Sequence, residues 1–340
     1  MFSKFIIKAE EYRMRNLWRH GIVALLIGVF LAPAYGQQPE RDFPSRPIRL
    51  VVPLPPGAAV DSTARIVATK LGVRIKQQVV VENMAGASGV IGTETVARAA
   101  PNGYTLLFAT PTAMVIGPLI NKKLPYHPVR DFEPVSLVVS NPLLLVVTSS
   151  LPVNTPAELI ALAKSKPGGL NYGTAGEGTP SHIAFELLMS MAGVDMVHVP
   201  YKGGGQAQID LVSGRVQMYL ASISGVGANV RAGKLKAIAV TTSKRAGAMP
   251  DVPTLAESGL PGYEFDTWYA IFAPAKTAPS TVSKLNSELV VVLSDTEFVK
   301  SMAGQGSDVR SSTPAALGGI VRSESERLGK LIEKMGLVAQ

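Results

Sequence analysis

Ile48-Arg49-Leu50-Val51-Val52-Pro53-Leu54-Pro55-Pro56-Gly57-Ala58-Ala59-Val60-Asp61 decides the reading of this chain. Five residues rich in branched apolar side chains read as a buried strand. A proline- and glycine-rich turn then ends it. From Asp61 to Leu71 the period changes to helical, with Ala64, Ala68 and Leu71 on one face. A strand that turns directly into a helix is half of a β-α-β unit. Outward from it, Gln78 to Glu82 reads as a second strand, Thr93 to Ala100 as a second helix, and Tyr104 to Ala109 as a third strand entered through Pro101-Asn102-Gly103. That rhythm predicts a mostly parallel sheet with helices on both faces.

The pattern restarts after Pro142. Leu143 to Val147 reads as a strand. Thr155-Pro156-Ala157-Glu158 is a helix start with an N-cap Thr, a first-turn Pro and a Glu three residues on. Strands follow at Leu170 to Tyr172, Met196 to Val199, Val216 to Leu220, Ala237 to Val240 and Trp268 to Phe272, with helices at Ile183 to Met191 and Gln206 to Val212. Residues from Pro279 to Leu337 read as mostly helical. Two α/β units and a helical tail that returns to one of them predict two lobes.

In each unit one strand ends in a loop suited to anions. The first is Gly57 to Asp61, where Gly57, Ala58, Ala59, Val60 and Asp61 lead into the helix. A helix start offers free backbone N–H groups and the positive end of the helix dipole. The same residues also read as an ordinary turn capped by Asp61. The second is Tyr172-Gly173-Thr174-Ala175-Gly176-Glu177-Gly178-Thr179-Pro180-Ser181-His182. Its glycines permit close backbone approach, and Thr174, Thr179 and Ser181 add hydroxyls. A flexible loop with Thr179 or Ser181 as the cap is the alternative. Both lie at carboxyl ends of strands, where open α/β sheets bind ligands, so Gly57 and Gly178 are expected to line one cavity. Three further turns are candidates. Ser88 lies in Gly86-Ala87-Ser88-Gly89, Thr110 and Thr112 follow the third strand, and Lys202 and Gly203 lie in Pro200-Tyr201-Lys202-Gly203-Gly204-Gly205.

Composition removes other functions. Of 33 basic and 25 acidic residues, the first 36 positions hold five and two, leaving 28 against 23. No Lys/Arg run is present and aromatics are 6%, which argues against nucleic acid. With no cysteine, disulfides, thiolate metal sites, cysteine nucleophiles and a lipidated cysteine are all excluded. The sequence contains no G-x-S-x-G, no phosphate-loop Gly-Lys-Ser/Thr, no H-E-x-x-H and no G-x-G-x-x-G. His127, His182 and His198 are too scattered to spell a metal motif and read as capping or packing residues. No catalytic residue, metal or cofactor is expected. Arg13, Arg15, Arg19 and His20 precede the 11-residue apolar run Gly21 to Leu31. Ala34-Tyr35-Gly36 then offers a small-x-small cleavage site. This reads as a secretory signal peptide over residues 1–36, with the mature chain beginning near Gln37; the run is far short of the ~20 residues of a membrane span. Met14 is an alternative start.

Residues spread over the whole mature chain resemble the Bug/TctC family of periplasmic solute receptors of tripartite tricarboxylate transporters. The matching segments include Phe43-Pro44-Ser45-Arg46-Pro47, Val81-Glu82-Asn83 with Gly86-Ala87-Ser88-Gly89, and Ala100-Pro101-Asn102-Gly103-Tyr104-Thr105-Leu106-Leu107. Val199-Pro200-Tyr201-Lys202-Gly203, Asp251-Val252-Pro253-Thr254 and Gly259-Leu260-Pro261-Gly262-Tyr263 extend it. The resemblance implies a two-lobed periplasmic binding protein fold, with two mixed or mostly parallel sheets, flanking helices and two crossover strands. Residues 37–138 and 269–340 would form one lobe and 139–268 the other. It also implies closure of a monomer on a small carboxylate, delivery to membrane permease subunits, and an Asp61 able to meet a ligand amine. Three positions depart from the family: Ala58 replaces a second glycine, Glu177 stands where Asn is common, and Ala221 where a polar residue is frequent. A sensory receptor passing its signal to a membrane protein is a second reading, and a secreted enzyme a third.

Overall fold

The computed structural model describes residues 43–338; the signal-peptide reading and the alternative start lie outside them. The order is β1 (Ile48–Val52), α1 (Ala59–Ile75), β2 (Val79–Asn83), α2 (Val90–Ala97), β3 (Thr105–Ala109), a π-turn over Thr112–Ile116 running into α3 (Gly117–Ile120), and β4 (Phe132–Ser140). Then come β5 (Leu143–Thr148), α4 (Pro156–Ser165), β6 (Asn171–Thr174), α5 (Pro180–Ala192), β7 (Val197–Pro200), α6 (Gly204–Val212), β8 (Met218–Ser222), α7 (Ile223–Arg231) and β9 (Leu235–Val240). β10 (Tyr269–Pro274), α8 (Pro279–Leu293), α9 (Thr296–Gly304), β11 (Asp308–Val309) and α10 (Pro314–Lys334) complete it.

Two sheets result, in the orders β11-β4-β10-β3-β1-β2 and β7-β6-β8-β5-β9. Each contains a parallel trio, β2-β1-β3 and β7-β6-β8. Beside each trio runs a strand that has arrived from the other sheet. β10 pairs antiparallel with β3, and β5 antiparallel with β8. The sheets are therefore mixed, where the β-α-β rhythm predicted mostly parallel ones. β4, which the sequence reading left out, is one of the strands that makes the difference.

Local chemistry explains the elements. β1 buries all its side chains except Arg49, and prolines at 53, 55 and 56, having no N–H to give a ladder, end it. α1 buries Val60, Ala64, Val67, Ala68 and Leu71 on one face and closes with Lys76 at φ 54. The predicted cap of α4 is present. Thr155 Oγ1 accepts from the Glu158 N–H at 3.2 Å, and Glu158 Oε2 accepts from the Thr155 N–H at 3.3 Å.

The two crossings between sheets are tied to each other. Asp266, on the returning segment, accepts from Ser140 Oγ at 2.6 Å and from the Asn141 N–H at 2.9 Å. Asn141 Nδ2 donates to the Thr267 carbonyl, and Thr267 Oγ1 donates to that of Asn141, both at 2.7 Å. Next to them the buried Trp268 indole donates to Glu324 of α10 at 3.0 Å, fastening the tail to the crossing. Burial lifts the Asp266 carboxyl to about 6 and the Glu324 carboxyl to about 7. Among the described residues no helix is long and apolar enough to cross a membrane.

Candidate functional site

The central strands of the two trios, β1 and β6, end in equivalent loops. In both, the residue two before the helix is a glycine with positive φ, 86° at Gly57 and 69° at Gly178. Its N–H is taken by the third helical residue. Gly57 donates to Asp61 Oδ2 at 2.9 Å, and Gly178 donates to His182 Nδ1 at 3.1 Å. These bonds fold each loop back so that the first helical turn faces the space between the sheets. Helix geometry leaves the first-turn amides, such as those of Ala59, Val60 and Ser181, without an intrahelical acceptor.

That space is a cavity of about 540 Å3. From the first loop Ala58, Ala59 and Val60 line it, and from the second Ala175, Thr179 and Ser181. Ser88, Thr110, Thr112 and Ala221 also lie on its wall. The structure thus brings together ten of the residues singled out in the sequence. It adds Tyr219, Ser222, Tyr269 and Thr267. Ser222 caps α7 by accepting from the Gly225 N–H, so a third helix start opens on the cavity. No charged side chain lines it. Tyr219 is 5% exposed and its hydroxyl has no protein partner among the described residues. No group of three or more His, Cys, Asp or Glu that could hold a metal occurs among the described residues.

The other six candidates lie elsewhere, and four of them shape the site from behind. Gly57 and Gly178 do not line this cavity; their amides are used inside the loops. Asp61 is 3% exposed and is not among the residues that line it. Asn83 Nδ2 donates to Asp61 Oδ1 at 2.9 Å and also to the Leu54 carbonyl, while Arg65 pairs with the same carboxylate at 3.1 Å. Burial works to raise the Asp61 carboxyl, but the Gly57 amide, Arg65 and Asn83 outweigh it and hold it below its ordinary value. With its oxygens so engaged, Asp61 organises the loop, and the expectation that it could meet a ligand amine is corrected. Thr174 is buried with Oγ1 2.7 Å from His198 Nε2.

Lys202 and Gly203 form no part of the cavity wall; Lys202 is exposed. Their turn backs the wall instead, since a Cβ on Gly204 would stand 2.9 Å from the Tyr219 hydroxyl. Ala58 is extended, at φ −71° and ψ 158°, so an alanine there carries no strain.

The two histidines of the second unit meet. His182 and His198 stack at 4.0 Å and 11°, and His198 stacks in turn on Tyr172 at 5.0 Å. The Tyr172 hydroxyl donates to Glu186 at 2.7 Å. Burial, then the neighbouring His182, pushes the His198 ring down to about 4; burial also lowers His182, against the pull of Glu177. Since Nδ1 of His182 accepts a backbone proton, the ring is neutral there. His127 caps a turn, its Nδ1 accepting from Val129 and Arg130.

A mixed two-sheet α/β fold with a cavity at opposed helix starts defines the class of periplasmic solute-binding proteins. A sequence profile of the tripartite tricarboxylate transporter family receptors, TctC, matches residues 63–337. The chain belongs to that family, whose members are solute-binding receptors rather than enzymes. It is 35% identical over 314 residues to Protein BugT of Bordetella pertussis (strain Tohama I), covering 92% of this chain and 96% of that one. Among solved structures it resembles Rpa4515 of R. palustris with adipate (TM-score 0.71, 34% identity, covering 87% of this chain and 99% of the other). It also resembles MatC of Rhodopseudomonas palustris with bound malate (TM-score 0.67, 32% identity, covering 85% and 100%). The family binds small carboxylates and serves tripartite transporters.

Proposed function

We propose that this chain is an exported receptor that closes on an organic carboxylate and passes it to the membrane subunits of a tripartite transporter. The observation that carries the reading is the cavity wall: no side-chain cation lines it, yet α1, α5 and α7 all begin there. An anion in that position is held by backbone amides, helix dipoles and hydroxyls rather than by a lysine or arginine. Ala58, Ala59, Val60, Thr179 and Ser181 are the proposed first contacts, with Ser88, Thr110, Thr112, Ala175 and Ala221 completing the wall. The lobes in this reading are 37–138 with 269–340, and 139–268, of which only residues 43–338 are described, with the tied crossings as the hinge. The protein acts as a monomer, released into the periplasm after cleavage near Gln37.

Calorimetry of the periplasmic protein against mono-, di- and tricarboxylates tests this. At least one acid is expected to bind saturably. Ala58→Leu and Ala175→Leu, which fill the cavity from opposite loops, are each expected to weaken it at least tenfold, about 1.4 kcal/mol. Folded protein that binds none of these acids defeats the reading.

A further inference from the structure

The space between the sheets has two chambers. Ser88 and Thr112 line both the cavity at the helix starts and a second one of about 450 Å3. The second chamber is walled by buried Ile116 and Tyr126, with Ile120, Leu124 and Leu337 half-buried around them. The Tyr126 hydroxyl is spent within the wall, donating to the Ala113 carbonyl at 2.9 Å. The neck between the chambers is specialised: Ala87 and Ser88 sit at φ 45° and 57°, a left-handed conformation that non-glycine residues rarely hold without a reason. The second unit's loop completes the chamber, since a Cβ on Gly178 would lie 3.4 Å from Ile120 Cδ1. That loop also places Glu177 on its lining, the one charged side chain there.

The chemistry of the two chambers differs. At the helix starts, free amides and unpartnered hydroxyls suit one carboxylate. Beyond the neck no cation lines the wall. A second carboxylate entering there would find one neutral side-chain amide, that of Asn121, in place of its water, and would meet Glu177, an exposed like charge. A methylene chain or an aromatic ring would instead gain from leaving water.

We infer that this cleft takes an acid with a single carboxylate and an apolar tail. The carboxylate rests at the starts of α1 and α5, the tail passes between Ser88 and Thr112, and Glu177 discriminates against a second carboxylate at the far end. The inference rests on the carboxylate-receptor reading above and narrows it. Adipate and malate, the ligands of the two solved relatives, each carry two carboxylates.

Matched pairs test it: hexanoate against adipate and benzoate against terephthalate, titrated calorimetrically into the periplasmic protein and into its Glu177→Gln variant. The monoacid is expected to bind at least tenfold tighter than the diacid in at least one pair, and neither diacid tighter than its monoacid. Glu177→Gln is expected to narrow that gap at least threefold, through tighter diacid binding. A diacid that binds as well as or better than its partner in both pairs overturns the inference, and so does a ratio that Glu177→Gln leaves unmoved. If only diacids bind, the inference fails and the receptor reading stands. If no carboxylate of any class binds the folded protein, both fail.

Discussion

The loops at Gly57–Asp61 and Gly178–His182 solve one geometric problem with opposite chemistry. Each must hold a glycine amide against the third residue of a helix so that the first turn faces the cavity. In the first loop the acceptor is a buried carboxylate, anchored by Arg65 and by Asn83. In the second it is a neutral imidazole, held by stacking on His198. The first acceptor draws on charge and several donors; the second draws on one hydrogen bond and ring contact. One side of the cleft is thereby fixed firmly and the other more lightly. The lighter side carries Glu177 and rests against Ile120 across the cleft.

The largest consequence should appear on removing the acceptors. Asp61→Ala strips the Gly57 amide, the Asn83 amide and the Arg65 guanidinium of a shared buried partner. A loss of about 3 kcal/mol is expected. His182→Ala leaves one amide unmet and opens the stack, for about 1–2 kcal/mol. Urea unfolding of both variants checks the ranking, and equal losses would erase the distinction between the loops.

Acid should separate the loops next. A histidine held below its ordinary 6.5 is bound to more protons in the unfolded chain, so its contribution to stability is present above that value. It is lost as pH falls toward about 4 for His198. Asp61 also lies below its ordinary value, so its contribution is lost only as pH falls beneath 3.8. The crossings run the other way. Asp266 and Glu324 are raised, so their contributions are present at low pH and are lost as pH rises through about 6 and about 7. Because these opposed terms overlap in global unfolding, a local readout is needed. Hydrogen-exchange protection of the Gly178 amide, which rests on the lowered His182 ring, is expected to fall as pH drops below 6.5, while that of Gly57 holds down to about 3.8. Simultaneous loss would break the comparison.

Much of this architecture was legible because it is local. Branched strands, the Pro/Gly turns and the Thr155 cap act within a few residues, and nine cavity residues followed from the turns, with Ala221 added by the family resemblance. What was hidden depends on distance. Arg65, four residues on in the same helix, is a partner that spacing offers, but nothing near Asp61 in sequence announces that Asn83 will donate to its carboxylate as well, so a structural acid reads as a candidate ligand contact. α7 contains Gly225 and Gly227, weak helix formers that erase its period. Its start was signalled only by Ser222 after a strand. Tyr219 and Tyr269 read only as strand residues because a strand pattern does not reveal that one end of a side chain meets a cavity. β4 carries Glu133, Pro134 and Ser136, which interrupt the apolar run expected of a central strand; it forms because β10 returns to pair with it.

The smallest predicted effect separates backbone strain from closure. Gly57 and Gly178 both have positive φ, so an alanine at either carries a strain of about 1 kcal/mol. Around Gly57 a new Cβ meets nothing within 4 Å, whereas at Gly178 it comes within 3.4 Å of Ile120 Cδ1. Gly57→Ala and Gly178→Ala should therefore lower unfolding free energy alike. Only Gly178→Ala places its methyl where the second loop meets α3 across the cleft. A ligand that requires that contact should bind Gly178→Ala about two- to fivefold more weakly, a difference under about 1 kcal/mol, and Gly57→Ala with little change. Parallel unfolding and calorimetric curves for the pair read both quantities. Equal affinity losses would mean that closure draws on the two loops alike, and the firm and light sides of the cleft would be one and the same.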